Sequence, residues 1–266
     1  MFRNFSRYLS LYRAFVVNNL SRAMEFRAQF FAGIIGYILW SGVSLLFINV
    51  VFGQVGAVRG WTRDEMWVLY GTYVVFESVC YGLLGPNMWR FSGLVRDGGL
   101  DLALTRPVNV QFFVSTRYLD LNGALNALPG LALIFFGLNH LGRWPSIGQW
   151  IVWLLLLGCG LLIAYCVWFA IVTLSIWFVK LEAGAVAFDP VMQMARFPID
   201  IYPARARAFL TFVVPVAFLT TFPTESLLGK GDLRVLVGAI CFAIFLLLLS
   251  RAFFKFALRF YGSASS

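Results

Sequence analysis

Charged residues are scarce in this chain, so the few that interrupt its apolar runs are the candidates for chemistry. The densest group lies in 86–107, PNMWRFSGLVRDGGLDLALTRP, which carries Arg90, Arg96, Asp97, Asp101 and Arg106 between two prolines. Arg96, Asp97, Asp101 and Arg106 can form charge pairs across a protein interface, where such pairs set docking and register more than affinity. The glycine pair Gly98-Gly99 lets the backbone turn sharply among them. The bland alternative is a solvated loop tying two apolar segments.

Glu77 stands near the middle of the apolar run 66–84. An ionisable group inside a membrane span is costly and is a functional hypothesis by default. Two readings stay open: Glu77 lines a pathway or pairs with Arg196, or it is a carboxyl bonded to a neighbouring helix. Asp189, Arg196 and Asp200 fall in a polar segment with Pro190, Pro198 and Pro203. Lipid-facing charges are rare, so if the segment spans, these charges face a water-filled cavity or a dimer axis. Its prolines break helical bonding, which suits a gate that moves. Asp120, Asn122 and Asn126 form a polar stripe, and Arg117 and Asp120 are spaced to pair locally at i,i+3.

Other chemistries lack their residues. His140 is the only histidine and has no second ligand at metal spacing. No HExxH, GxSxG or serine–histidine set is present, so no hydrolase is expected. Gly229-Lys230-Gly231 is not a phosphate loop, so the chain is expected to bind no ATP and no metal of its own. Cys80, Cys159, Cys166 and Cys241 all sit in apolar runs without a CxxC pair and are expected to be inert buried thiols.

The elements that hold these residues are membrane helices. Of 266 residues, 61% are hydrophobic, 18% aromatic and 12% charged, and the mean hydropathy is +0.82. A soluble domain is nearer half apolar and a quarter charged. The apolar runs are continuous rather than alternating, and every backbone group in lipid must be paired internally, so they are helices rather than barrel strands. The net charge of +9 is dispersed and reads as topology, with no nucleic-acid partner implied. The first 28 residues have no compact apolar core, so no cleavable signal peptide is expected. Instead, Phe2, Phe5, Leu9, Tyr12, Phe15 and Val16 recur at helical spacing opposite Arg3, Arg7, Ser10, Asn18 and Ser21, the pattern of an amphipathic helix in the membrane interface.

Spans are expected at 29–52, 66–84, 112–138, 150–179 and 234–256. Gly33, Gly36, Ser41, Gly42 and Ser44 make the first suited to close helix packing. Between 180 and 233 two parses compete. One takes 208–222 as the fifth span. The other takes 183–201 as a polar, proline-broken span, followed by a re-entrant pair of half-helices at 205–229. Both give six spans. Five arginines in the N-terminal arm, three in 86–107, and Arg251, Lys255 and Arg259 outnumber Arg59, Arg63 and Arg143 on the other side. Both termini and 86–107 are therefore expected in the cytoplasm.

Two stretches carry a family resemblance. One is Gly98-Gly99-Leu100-Asp101-Leu102-Ala103-Leu104-Thr105-Arg106-Pro107. The other is Phe197-Pro198-Ile199-Asp200-Ile201-Tyr202-Pro203, followed by Pro215, Pro223 and Leu227-Leu228-Gly229. With the basic N-terminus and six spans, the whole chain resembles a permease subunit of the ABC-2 family of ATP-driven transporters. The resemblance implies an all-α integral membrane protein forming one transmembrane domain over 1–266. It implies an amphipathic helix at 1–28, a cytoplasmic coupling helix at 86–107 with Arg96, Asp97, Asp101 and Arg106, and a re-entrant outer gate at 197–229 before span six. Glu77, Asp189, Arg196, Pro198, Asp200, Pro203 and Pro215 are its expected pathway or gate residues. It further implies export as a dimer with a second permease in a bacterial inner membrane. Two ATP-binding cassette subunits would carry the ATP and magnesium. Val214-Pro215 stands where the family at large often has Asn-Pro, which weakens any transfer of substrate. The alternative function is a non-transporting membrane anchor or sensor that recruits a cytoplasmic partner.

Overall fold

The computed structural model describes residues 2–25, 27–178 and 186–262, and most of them are helical. Helix α1 (Phe2–Glu25) leads into α2 (Arg27–Gln54). A two-stranded hairpin follows, β1 (Ala57–Val58) against β2 (Trp61–Thr62). Thr62 then caps α3 (Arg63–Leu83) in a reciprocal box: its side chain accepts from the Glu65 amide, and the Glu65 carboxylate accepts from its own amide. Next come α4 (Gly85–Arg96), α5 (Gly99–Leu104), α6 (Val110–Thr116), α7 (Leu121–Leu125) and α8 (Ala127–Leu141). Ser146 and Gln149 repeat the capping box at the start of α9 (Ile147–Thr173). The remaining helices are α10 (Asp189–Met194), α11 (Ala204–Phe212), α12 (Thr221–Leu227) and α13 (Leu233–Ala257).

Among the described residues, five helical stretches are long and apolar enough to cross a membrane: Ile35–Gln54, Arg63–Arg96, Gly123–Leu141, Ile147–Ile176 and Leu233–Phe260. A sixth is reached if Ala204–Phe212 and Val216–Leu227, bent by 69°, count as one. The fold is that of an all-α integral membrane protein. Its outward faces fit this, because α2 exposes Leu39, Val43, Leu46 and Phe47, and α13 exposes Val237, Ile244, Phe245 and Leu248. Exposed apolar surface on this scale needs lipid or another subunit to cover it.

Helix α3 is the axis of the bundle, with Met66, Val68, Leu69, Val74 and Phe76 almost fully buried. It packs closest on α8, where two backbones touch. A Cβ on Gly71 would lie 2.7 Å from the Gly130 carbonyl oxygen, and one on Gly130 would lie 2.8 Å from the Gly71 carbonyl oxygen. Helix α13 packs on α9. The third expected span is not one helix: α6, α7 and α8 divide it, with Asp120 capping α7 by accepting from the Gly123 amide. That cap occupies Asp120, and Arg117 lies over the rings of Phe113 and Tyr118. The expected Arg117–Asp120 pair therefore does not form. Asn122's side chain lies outside the described residues.

On α1 the half-buried residues Tyr8, Leu11, Tyr12, Phe15, Val16 and Asn19 share one face, and Ser10, Asn18 and Ser21 are exposed on the other. That face rests on α6. Tyr8 meets Phe112 edge-on at 5.0 Å, and Asn19 donates to the Arg117 carbonyl at 3.2 Å. On α2 the inner stripe is Tyr37, Ser41 and Ile48. A Cβ on Gly36 or Gly42 would meet nothing within 4 Å, so these two glycines face away from the chain's own helices. The side chain of Gln29 and the site of Gly33 lie outside the described residues. Cys80 and Cys166 are buried, whereas Cys241 is exposed on the outer face of α13, contrary to the expectation for all four. An apolar environment at that position comes from lipid or another subunit, not from the chain's own core. His140 packs against Phe136 at 4.6 Å and Trp67 at 5.4 Å, and no metal-ligand cluster occurs among the described residues.

Candidate functional site

The bundle has two distinguishable ends. One carries α5, the N-terminus of α6 and the C-terminus of α13; because it holds much of the charged stretch 86–107, the island, it is the island end. The other carries the β-hairpin, the loop before α9, and Lys230, whose ammonium pairs with Glu65 at 2.8 Å. Lys230 also sits 5.3 Å from the centroid of Trp61.

At the island end, α4 prolongs α3, so that Arg63–Arg96 is one 34-residue helical stretch. At ~1.5 Å rise per residue it is ~50 Å long, against ~30 Å of hydrocarbon. Its prolongation is not held out as a whole: Asn87, Met88, Phe91 and Val95 are buried, and Phe91 packs edge-on with Phe169 and Phe254. The accessible part is the corner that follows. Gly98 takes φ +72°, the left-handed conformation that turns the chain into α5. Leu100 and Ala103 point inward, and Leu102 is 69% exposed with Leu104 and Thr105 beside it.

The four expected coupling charges are split by this corner. Arg96 donates to Asp97 at 2.9 Å, and both are exposed. Arg106 is exposed with its guanidinium over the Phe113 ring at 5.0 Å. Asp101 lies beside Tyr261, whose pKa is raised by burial and further by that carboxylate. Arg90, the fifth charge of the island, covers Tyr118 at 4.3 Å. The charges thus brace the corner, and the apolar residues Leu102 and Leu104 are its most evident contact surface, a feature that a search for charges passes over.

Along the inner face of α3 runs a ladder of polar contacts to the broken segment. Tyr81 donates to Asp189 Oδ1 at 2.7 Å. Arg196 Nε donates to the Tyr73 hydroxyl at 3.3 Å. Trp61, just before α3, donates to Asp200 Oδ2 at 3.2 Å, and Arg207 Nη1 donates to Asp200 Oδ1 at 3.0 Å. As the segment advances from 189 to 200, its partners retreat from 81 to 61. Twenty residues of helix cover ~30 Å. The segment therefore climbs the bundle antiparallel to α3 as short helical and extended pieces. Neither 183–201 nor 208–222 is an unbroken helix, and residues 183–185 lie outside the described residues, as do Lys180 and Glu182.

The prolines account for the breaks. Pro190 stands in the first turn of α10, where its missing amide costs nothing. Pro198 and Pro203 hold extended backbone at ψ 142° and 152° on either side of the turn Ile199–Ile201. Pro215, buried, sits in the bend between α11 and α12. Both outer ends of that bent pair lie at the far end, near Asp200 and Lys230. Its bend packs against Ile163, Ala164 and Val167, well inside α9. A Cβ on Gly160 would fall 2.7 Å from the Phe218 carbonyl oxygen, so only glycine admits this approach. Thr220 donates to the Ala195 carbonyl at 2.7 Å, and Thr221 Oγ1 accepts from the Ile199 amide at 3.1 Å. The hairpin and the climbing segment are thereby joined.

Glu77 sits at the centre of the ladder. Its two carboxyl oxygens accept from Tyr37 at 2.7 Å and from Tyr73 in a short hydrogen bond. No direct Glu77–Arg196 ion pair forms: the Tyr73 hydroxyl stands between them. Arg196 instead spreads over Tyr73 at 5.5 Å and Trp40 at 5.9 Å. A cavity of about 330 Å³ opens beside this guanidinium, lined also by Trp40, Phe47, Tyr70 and Phe197. Sequence reasoning missed the partners Tyr37, Tyr73, Tyr81 and Trp61. The spacing Tyr73, Glu77, Tyr81 at i±4 was the available signal.

These features define a multi-pass helical membrane protein with a polar, proline-broken segment packed along its central helix. A family model described as ABC-2 family transporter protein matches residues 38–265. The chain belongs to that family, as a transporter permease component rather than the ATPase itself. Such permeases associate with ATP-binding cassette subunits. No curated protein matches the chain significantly.

Proposed function

We propose that this chain is the membrane half of an ATP-driven exporter, paired with a second permease that is identical or related. Two ATPase subunits, bearing the ATP and magnesium, dock on the α4–α5 corner in the cytoplasm of a bacterial cell. The substrate path runs along the polar ladder of Glu77, Asp189, Arg196 and Asp200. The hairpin around Pro198, Pro203 and Pro215 is its outer gate. The observation that carries this reading is mechanical continuity. The corner is the end of the same helical stretch whose other end holds Asp200 through Trp61, so displacement at α5 is transmitted along α3 to the segment and to the hairpin joined to it. Asp97, Asp101, Arg96 and Arg106 fix the shape of the corner, and Leu102 enters the ATPase groove. Outward transport follows from placing the gate at the end away from the ATPases.

The test is purification of the tagged chain in mild detergent, wild type beside Leu102→Asp. A stoichiometric ATPase with its own phosphate loop is expected with the wild type. A buried apolar anchor at an interface is worth ~2 kcal/mol or more, so Leu102→Asp is expected to weaken that association roughly 30-fold with an unchanged melting temperature. Wild type purifying alone, under conditions that keep related complexes whole, moves the reading to the anchor or sensor. Full association of Leu102→Asp overturns the assignment of the corner.

A further inference from the structure

A second cavity, of about 400 Å³, opens near the island end between α6, α9 and α13, away from the polar ladder. That is within the ~300–1,000 Å³ of sites that bind small ligands. Its walls include Leu161 and Leu247, its floor includes Gln111 and Ser115, and Arg251 stands in its lining. The floor is built and buried. Gln111 donates to the Tyr165 hydroxyl at 3.0 Å and to Ser250 at 3.3 Å, and Ser115 lies 3.0 Å from the same hydroxyl. These bonds tie α6 to α9 and α13, so the cavity is fixed by structure. No carboxylate lines it. Arg251 is exposed, and among the described residues no carboxylate lies within ion-pairing distance of it.

Depth selects the occupant. Arg251 is eighteen residues beyond Leu233, the first residue of α13, and so ~27 Å along the helix axis. A hydrocarbon core of ~30 Å that starts near Leu233 ends close to Arg251. Leu247, ~6 Å back along the axis, lies within the acyl layer. A cation at the headgroup level above an apolar slot matches an anion that carries a hydrocarbon chain. Guanidinium binds phosphate oxygens in paired, charge-assisted hydrogen bonds. Lys255 and Arg259, further along at the same end, raise the local concentration of anionic lipid.

We propose that this cavity holds one anionic phospholipid of the island-side leaflet, with its phosphate on Arg251 and an acyl chain against Leu161 and Leu247. The lipid seats on α6, α9 and α13 together and stabilises the end of the bundle next to the α4–α5 corner. The site is independent of the substrate path.

Native mass spectrometry of the full chain, titrated with phosphatidylglycerol or with phosphatidylcholine of the same acyl chains, tests this. The wild type is expected to retain one phosphatidylglycerol at least tenfold better than phosphatidylcholine, undisturbed by millimolar inorganic phosphate. Arg251→Gln is expected to reduce that preference at least fivefold, and Arg143→Gln, an exposed arginine at the opposite end of the bundle, to leave it intact. Leu247→Trp, which fills the slot, is expected to lower retention of both lipids. Equal retention of the two lipids by the wild type overturns the proposal, as does a preference that survives Arg251→Gln. Displacement by inorganic phosphate reassigns Arg251 to a soluble anion and also overturns it.

Discussion

Gly130→Val is expected to prevent stable folding of the chain. The added Cβ would lie 2.8 Å from the Gly71 carbonyl oxygen, 2.8 Å from Val74 Cγ1 and 2.8 Å from the Val75 amide nitrogen. Two of these atoms are backbone, so relief requires α3 and α8 to part along the most buried seam of the bundle. Overpacking costs about 1–3 kcal/mol where side chains can adjust, and rigid backbone contact places this site at or above the top of that range. The natural comparison is Gly158→Val on α9, where nothing lies within 4 Å of the added carbon. Helix propensity treats the two glycines alike, so contact alone separates them. Thermal unfolding in detergent, followed by size-exclusion fluorescence, is expected to show a large loss of monodisperse protein for Gly130→Val and a wild-type profile for Gly158→Val. Equal behaviour of the pair would refute direct α3–α8 backbone contact.

Glu77→Ala is expected to cost both stability and activity. It removes the acceptor shared by Tyr37, which is half-buried, and Tyr73, which is buried, and takes from each hydroxyl the acceptor of its proton. Each such group costs about 1–3 kcal/mol. Glu77→Gln keeps the size and one acceptor and is expected to lose less. The bond from Tyr37 is the polar strut between α2 and α3, so a double-mutant cycle of Tyr37→Phe and Glu77→Ala isolates it. A coupling energy within about 0.5–3 kcal/mol is expected from their melting curves. The same variants, in complex with the ATPase, are expected to lose most transport-coupled ATP hydrolysis under Glu77→Ala. Additive melting effects would show that α2 is not held through this carboxylate, and unchanged coupling would remove Glu77 from the proposed path.

Much of the polar site was visible as residues but not as contacts. Glu77, Asp189, Arg196 and Asp200 are conspicuous because charge in an apolar run is costly and needs a reason. Their partners were hidden by distance along the chain. Tyr81 and Asp189 are 108 residues apart, and Trp61 and Asp200 are 139 apart. Tyrosine and tryptophan are also ordinary residues of membrane helices, and nothing in their type marks those that face inward. Arg117 and Asp120 show the opposite error. Their spacing invites a local pair, but Asp120 is used by the turn into α7 and Arg117 by two aromatic rings. The corner after α4 shows the same limit of reading residue types alone. Its charges stand out in an apolar chain, whereas Leu102 is an ordinary leucine in sequence and among the most exposed large apolar side chains in the fold.

The amino-acid sequence alone determined that this is a helical membrane protein with long apolar crossings, a charged corner and a proline-rich polar stretch. Composition, run length and the lack of amide donors at proline act locally, so no folded partner is needed to read them. Tertiary structure alone decided how the polar stretch runs along α3, which tyrosines hold Glu77 and Arg196, where two glycines bring α3 and α8 into contact, and which way Gly36, Gly42 and Cys241 face. Those outcomes depend on which surfaces meet when the helices pack. In lipid, apolar side chains are equally well solvated on any face, so hydropathy carries no signal for that choice.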